Sequence, residues 1–148
     1  MVKKNKAVFL DRDGVLVKSI ILNKKGYAPR NLKEFKILPK VNHYCKLLKK
    51  KGFKLIIVTN QPDISRGLIL SSDFNKMNEI LKIATNFDDI YVSTSTSNKS
   101  YFRKPNPGML NKAIKKYKLN VKKCFMIGDR ASDILAGYTV GCKSIFIN

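Results

Sequence analysis

The segment Asp11-Arg12-Asp13-Gly14-Val15 follows directly on the apolar run Ala7-Val8-Phe9-Leu10. Two carboxylates two residues apart repel each other, and partial burial further disfavours the doubly ionised form. Such a pair calls for a cation or a proton-transfer task; a solvated turn is the bland alternative for Asp-x-Asp taken alone. Three more polar clusters accompany it. Leu55-Ile56-Ile57-Val58 ends in Thr59-Asn60-Gln61, and Cys124-Phe125-Met126-Ile127-Gly128 ends in Asp129, with Asp133 four residues on. Between them lies Arg103-Lys104-Pro105-Asn106-Pro107-Gly108, ahead of a helical pattern. Ligands of open α/β sheets sit outside the carboxyl ends of the strands, so four clusters in this order predict one crevice.

The elements that must position them follow from hydrophobic spacing. Apolar runs predict strands near 7–10, 54–58, 90–93, 124–127 and 144–147. Val41, Tyr44, Cys45 and Leu48 fall at i, i+3, i+4 and i+7 of one helix, which Gly52 closes. Phe74, Met77, Leu81 and Ala84 mark a second, entered through Ser71, Ser72 and Asp73. Asn106 as N-cap and Pro107 at the first position start a third, with Ala113, Ile114 and Tyr117 inward. A short helix after Asp133 carries Ile134, Leu135 and Tyr138. Strands alternating with helices predict an α/β fold, a doubly wound Rossmann-like parallel sheet with right-handed crossovers. About 40 residues separate Gly14 from the Thr59 strand, and about 40 separate Gln61 from Arg103. One helix and its connections consume each interval, so no large cap domain fits. Residues 16–29 can form a small flap, and the site is expected to be open.

At 148 residues the chain reads as one domain, 1–148, with an ordinary 44% of hydrophobic residues. No run reaches the roughly 18 apolar residues that span a bilayer. The basic start is followed by only four apolar residues before Asp11, too few for a signal peptide, and the cytoplasm is the expected location. Cys45, Cys124 and Cys142 are widely spaced, with no zinc-site pattern, and read as buried free thiols. His43 reads as a surface or half-buried helix residue. The net charge of +20 would attract nucleic acid or a phosphorylated metabolite alike. Yet 25 of the 30 basic residues are scattered lysines without interleaved aromatics, which favours solvated faces over a stacking surface. Asp11, Asp13, Asp129 and Asp133 are four of only ten acids, a concentration that suits a metal-assisted phosphate site.

The set Asp11-x-Asp13-Gly14-Val15, Thr59, Lys104-Pro105 and Gly128-Asp129-x-x-x-Asp133 resembles the four motifs of the haloacid dehalogenase superfamily of phosphohydrolases, over nearly the whole chain. The strings Phe9-Leu10-Asp11-Arg12-Asp13-Gly14, Thr59-Asn60-Gln61 with Ser65-Arg66-Gly67, and Arg103-Lys104-Pro105-Asn106-Pro107-Gly108-Met109-Leu110 are similar to its heptose bisphosphate and histidinol-phosphate phosphatase branch. In that branch a Cys/His zinc loop precedes the Arg-Lys-Pro segment. Here the Ser/Thr-rich stretch 93–100 stands in that region, and residues 91–103 hold neither Cys nor His, so zinc is not carried over.

The resemblance implies a Mg²⁺-dependent phosphomonoester hydrolase, with Asp11 as nucleophile and Asp13 as general acid and base. Thr59 and Lys104 would hold the phosphoryl oxygens. Asp11 and Asp129 would supply carboxylates to Mg²⁺ and Asp13 its backbone carbonyl. Asp133 is either an outer ligand or a positioner of Lys104. Arg66 and Arg103 stand out because arginine is scarce, and suit a second phosphate or a sugar face. Asn60 and Gln61 either contact substrate or cap the turn at Pro62. The expected partner is a small phosphorylated metabolite, a heptose bisphosphate foremost. A histidinol phosphate, a 3′-phosphorylated DNA end and a silent basic binding module are the alternatives.

Overall fold

The structure, a computed structural model, describes residues 5–148; the first four residues of the basic start lie outside the described residues. Five strands, β1 (Ala7–Leu10), β4 (Lys54–Asn60), β5 (Asp89–Ser93), β6 (Phe125–Gly128) and β7 (Lys143–Phe146), form one parallel sheet in the order β5-β4-β1-β6-β7. A second, two-stranded antiparallel sheet pairs β2 (Ile20–Leu22) with β3 (Lys25–Tyr27). The middle strands read as near-continuous apolar runs because helices cover both sheet faces. Every residue of β1 is buried, and so is Leu55 through Thr59 of β4.

Alternate residues of these strands feed two cores. Ala7, Phe9, Ile56, Val58 and Met126 pack with Met109, Leu110 and Ala113 of α4 (Gly108–Tyr117) and Ala136 of α5 (Ala131–Val140). Val8, Leu10, Leu55 and Ile57 pack on the opposite face with Val41 and Cys45 of α1 (Val41–Lys50) and Leu81 of α3 (Ser71–Thr85). Each fully buried Ile or Leu contributes about 1.5–3 kcal/mol of transfer free energy. Among the described residues, the doubly wound sheet and the lack of a large cap are as expected. The segment 16–29 carries the β2–β3 hairpin, with Leu16 and Val17 buried in the core, and a short helix α2 (Pro62–Ser65) follows β4.

Several helix details depart from the periodic reading. Tyr44 is exposed while Val41 and Cys45 are buried, so α1 docks on a narrower face. Ala84 is only half-buried, and Thr85 completes the inner face of α3 in its place. Pro107, not Asn106, is the N-cap of α4. The Asn106 amide instead donates to the carbonyls of Asn98 and Ser100, at 2.9 and 2.7 Å. The last helix begins at Ala131, before Asp133, and turns Leu135 and Tyr138 outward. It docks through Ala136 and Gly137, because a Cβ on Gly137 would run into Met126 and Ser144. Close approach of backbone to sheet, not side-chain bulk, sets that contact. Cys45, Cys124 and Cys142 are buried free thiols, and His43 is exposed on α1, both as expected.

Candidate active site

The four clusters do converge at the carboxyl edge of the sheet. Asp11 leaves β1 and its backbone N–H donates to the Ile127 carbonyl of β6 at 3.0 Å. The chain then turns tightly, with the Gly14 N–H donating to the Val17 carbonyl at 2.8 Å. Gly14 has φ +92°, and a Cβ there would overlap the Asp129 carboxylate. Both the backbone conformation and the space therefore require glycine.

Lys104 is the hub. Its ammonium donates to Asp11 Oδ1 at 2.9 Å, Asp133 Oδ1 at 2.6 Å and the Val58 carbonyl at 2.7 Å. All three donors are thus used, in a position only 3% exposed. Burial by itself would lower the lysine pKa; the charges of Asp11 and Asp133 outweigh it and raise the pKa, keeping the cation. Asp133 also accepts the Arg130 backbone N–H at the start of α5, so it aims Lys104 at Asp11. Of the two roles open to Asp133, the contact with Lys104 is the one visible here.

Asp129 completes an acidic corner. Oxygens of Asp11, Asp129 and Asp133 lie within 4.8 Å of one another. Burial first, then the charges of Asp11 and Asp133, push Asp129 up to about 6. Its Oδ1 is buried without a hydrogen-bond partner. Three close carboxylates against one ammonium leave negative charge unbalanced, and a buried unpartnered oxygen is costly. An all-oxygen donor set with one orphaned oxygen fits a hard divalent cation such as Mg²⁺.

Asp13 is gripped from two sides. Arg12 Nη1 donates to its Oδ1 at 2.8 Å and Gln61 Nε2 to its Oδ2 at 2.6 Å. Burial pushes Asp13 above the usual carboxylate range, against the lowering effect of Arg12. Gln61 Nε2 also donates to Thr59 Oγ1 at 2.9 Å. Asn60 and the Lys104 backbone exchange two bonds of 3.0 Å. Asn60 and Gln61, read from sequence as substrate contacts or turn caps, therefore each brace a neighbouring site residue here.

Above this floor opens a cavity of about 780 Å³, walled by Ile21 and Tyr27 of the hairpin and by Arg66, Arg103 and Arg130. Arg66 also pairs with the buried Asp63 at 3.1 Å, which Arg30 engages from its other oxygen at 3.4 Å. Arg103 donates to the Ser95 carbonyl at 2.7 Å and so pins the Ser/Thr-rich loop. Burial and the neighbouring charges of Arg66 and Arg130 lower its pKa. Sequence reasoning missed Arg130, which donates to the Gly26 carbonyl of the hairpin at 3.0 Å. The scarcity argument that singled out Arg66 and Arg103 applies to it equally. The buried grip of Arg12 carried no local signal. The site is thus acidic at its floor and cationic at its rim.

A parallel sheet with an acidic, lysine-centred pocket at its carboxyl edge defines a doubly wound α/β protein with its ligand site at the strand ends. A family model, haloacid dehalogenase-like hydrolase, matches residues 21–141. The D-glycero-β-D-manno-heptose-1,7-bisphosphate 7-phosphatase of Helicobacter pylori strain J99 is 34% identical over 97% of this chain and 83% of its own length. The corresponding α-anomer phosphatase of Photorhabdus laumondii is 31% identical over 97% and 82%. The crystal structure of D,D-heptose 1,7-bisphosphate phosphatase from B. bronchiseptica, complexed with magnesium and phosphate, superposes with a TM-score of 0.83 at 23% identity. It covers 95% of this chain and 79% of that one. The chain belongs to the haloacid dehalogenase-like hydrolase family, and it is an enzyme of the phosphatase type. Among the described residues, no helix is long and apolar enough to cross a membrane.

Proposed function

We propose that this single-domain chain hydrolyses a phosphomonoester of a phosphorylated sugar, a heptose 1,7-bisphosphate, with Mg²⁺ and through an aspartyl-phosphate on Asp11. The observation that carries the reading is the joint placement of Asp11, Lys104 and Asp13 under a cavity rimmed by arginines. Relatives at 31–34% identity that act on heptose bisphosphates support the substrate class.

Asp11 Oδ2, the oxygen not bonded to Lys104, attacks phosphorus as the bond to the sugar oxygen breaks. Asp13 gives its proton to that leaving oxygen. In the second step Asp13 takes a proton from water, which attacks phosphorus and frees both phosphate and Asp11. Lys104 holds positive charge beside the nucleophile, and Thr59 offers a hydroxyl donor to a phosphoryl oxygen. Asp11 and Asp129 would hold Mg²⁺, with the Asp13 carbonyl, and Asp133 fixes Lys104 beside them. Bound there, the ion would offset the charge that otherwise keeps a carboxylate from a phosphate. Arg66, Arg103 and Arg130 suit the second, unreacted phosphate, because a guanidinium fork matches phosphate oxygens.

The test is Mg²⁺-dependent phosphate release from heptose 1,7-bisphosphate, histidinol phosphate and a 3′-phosphorylated oligonucleotide, each beside Asp11→Asn. Fast release from the heptose, abolished in a folded Asp11→Asn, is the expected result. Preference for either other substrate refutes the heptose, and turnover by Asp11→Asn removes the nucleophile.

A further inference from the structure

Arg12 lies between the two catalytic aspartates in sequence, yet its side chain turns away into the core and is fully buried. The guanidinium is packed against Phe74 at 4.8 Å and Phe35 at 5.7 Å, with the Met77 sulfur 3.8 Å from Nη2. An apolar side chain would fill such a pocket without desolvating a charge, and buried ion pairs commonly stabilise no better than apolar packing. Packing therefore gives no reason for a guanidinium here. Its directed contacts do. Nη1 donates to Asp13 Oδ1 at 2.8 Å, and Nε donates to Asn78 Oδ1 of α3 at 3.0 Å.

We infer that Arg12, oriented by Asn78, is a positioning residue that holds Asp13 for proton delivery to the leaving oxygen; this rests on the phosphatase chemistry proposed above. A carboxyl group attached through two rotatable bonds to a turn has no fixed direction of its own. The planar fork of arginine bonds Asp13 with one nitrogen while Asn78 locks another, so the guanidinium cannot swing. Gln61 holds the second oxygen from the opposite side. Each Asp13 oxygen accepts one of these bonds and keeps a second lone pair, which can carry the proton. In the transfer step the P–O bond to the sugar breaks, the bond from Asp11 to phosphorus forms, and the Asp13 proton passes to the sugar oxygen. Proton delivery of this kind contributes about 10²–10⁴-fold, and small misplacement forfeits much of it.

The experiment separates leaving groups. An alkyl phosphate, the heptose bisphosphate, needs the proton; p-nitrophenyl phosphate, whose leaving phenolate is stable, scarcely does. The readout is kcat/KM, which covers the steps through phosphoenzyme formation and so omits the later use of Asp13 as a base. Arg12→Lys keeps a cation but loses the planar fork whose separate nitrogens bond Asp13 and Asn78. It is expected to lower kcat/KM for the heptose by about tenfold or more, and for p-nitrophenyl phosphate by less than about threefold. Asn78→Ala, which leaves the Arg12–Asp13 pair in place, is expected to show the same selectivity with a smaller loss. It carries the test alone if Arg12→Lys does not fold. Equal losses on both substrates, or none on either, overturn the inference. Turnover of both substrates by Asp11→Asn would instead refute the underlying chemistry, whatever the Arg12 variants do.

Discussion

At the scale of single residues the site is an arrangement of charges that only make sense together. Lys104 sits between Asp11 and Asp133, and its three protons are all engaged. Removing it leaves two buried carboxylates facing each other, the situation in which breaking a buried pair costs about 3–5 kcal/mol. Lys104→Met should therefore lose both activity and stability. Equilibrium denaturation is expected to show a loss of that size, with phosphate release falling to background. A variant as stable as the parent would show that the ammonium is not needed to hold the carboxylates. Thr59, between strand and site, owes its orientation to Gln61, so its hydroxyl is directed by a neighbour two residues on.

At the scale of elements, the carboxyl ends of β1 and β6 bring Asp11, Asp13 and Asp129 together, that of β4 adds Thr59 and Gln61, and the start of α5 adds Asp133. The capping interaction of Asp133 with the Arg130 N–H fixes the first turn of α5 and the carboxylate that orients Lys104 in one stroke. Helix α1 has no such part in the site and only seals the opposite core, with Cys45 buried in its face. Burial pushes the Cys45 thiol up from about 9 to about 11. A thiol whose folded pKa is raised stays neutral while the unfolded chain ionises. Its contribution is therefore intact below pH 9 and is lost as pH climbs from 9 to 11. At about 1.4 kcal/mol per pKa unit the loss approaches roughly 3 kcal/mol. Cys45→Ala should flatten the fall in unfolding free energy over that interval; an unchanged slope would mean that other groups cause it.

At the scale of the whole molecule, the charge of +20 surrounds a site whose floor is acidic. A cationic exterior raises the local concentration of an anionic substrate, and salt screens that attraction over a Debye length of about 10 Å at 0.1 M. For a bisphosphate, kcat/KM is expected to fall several-fold from low salt to roughly 0.3 M, with kcat nearly constant. A flat kcat/KM would make the lysines compositional background, and a parallel fall in kcat would point to salt acting on the chemistry.

The sheet and the list of acids were legible in the sequence because both rest on local patterns. Short apolar runs alternating with helical periodicity fit the strands of a parallel sheet, and a polar cluster at the end of a strand then falls on its carboxyl edge. Helix faces were less legible. Tyr44, Leu135 and Tyr138 fit the period yet face outward, because the sheet accepts only a narrow contact, made on α5 by Ala136 and Gly137. The partners that orient the polar side chains were decided by the tertiary structure. Gln61 meets Asp13 across 48 residues, Arg12 meets Asn78 across 66, Lys104 meets Asp11 across 93 and Arg130 meets Gly26 across 104. The physical reason is reach. Sequence states which donors and acceptors exist and on which strand end they stand, while partners so far apart along the chain are chosen only when the strands pair and the helices dock.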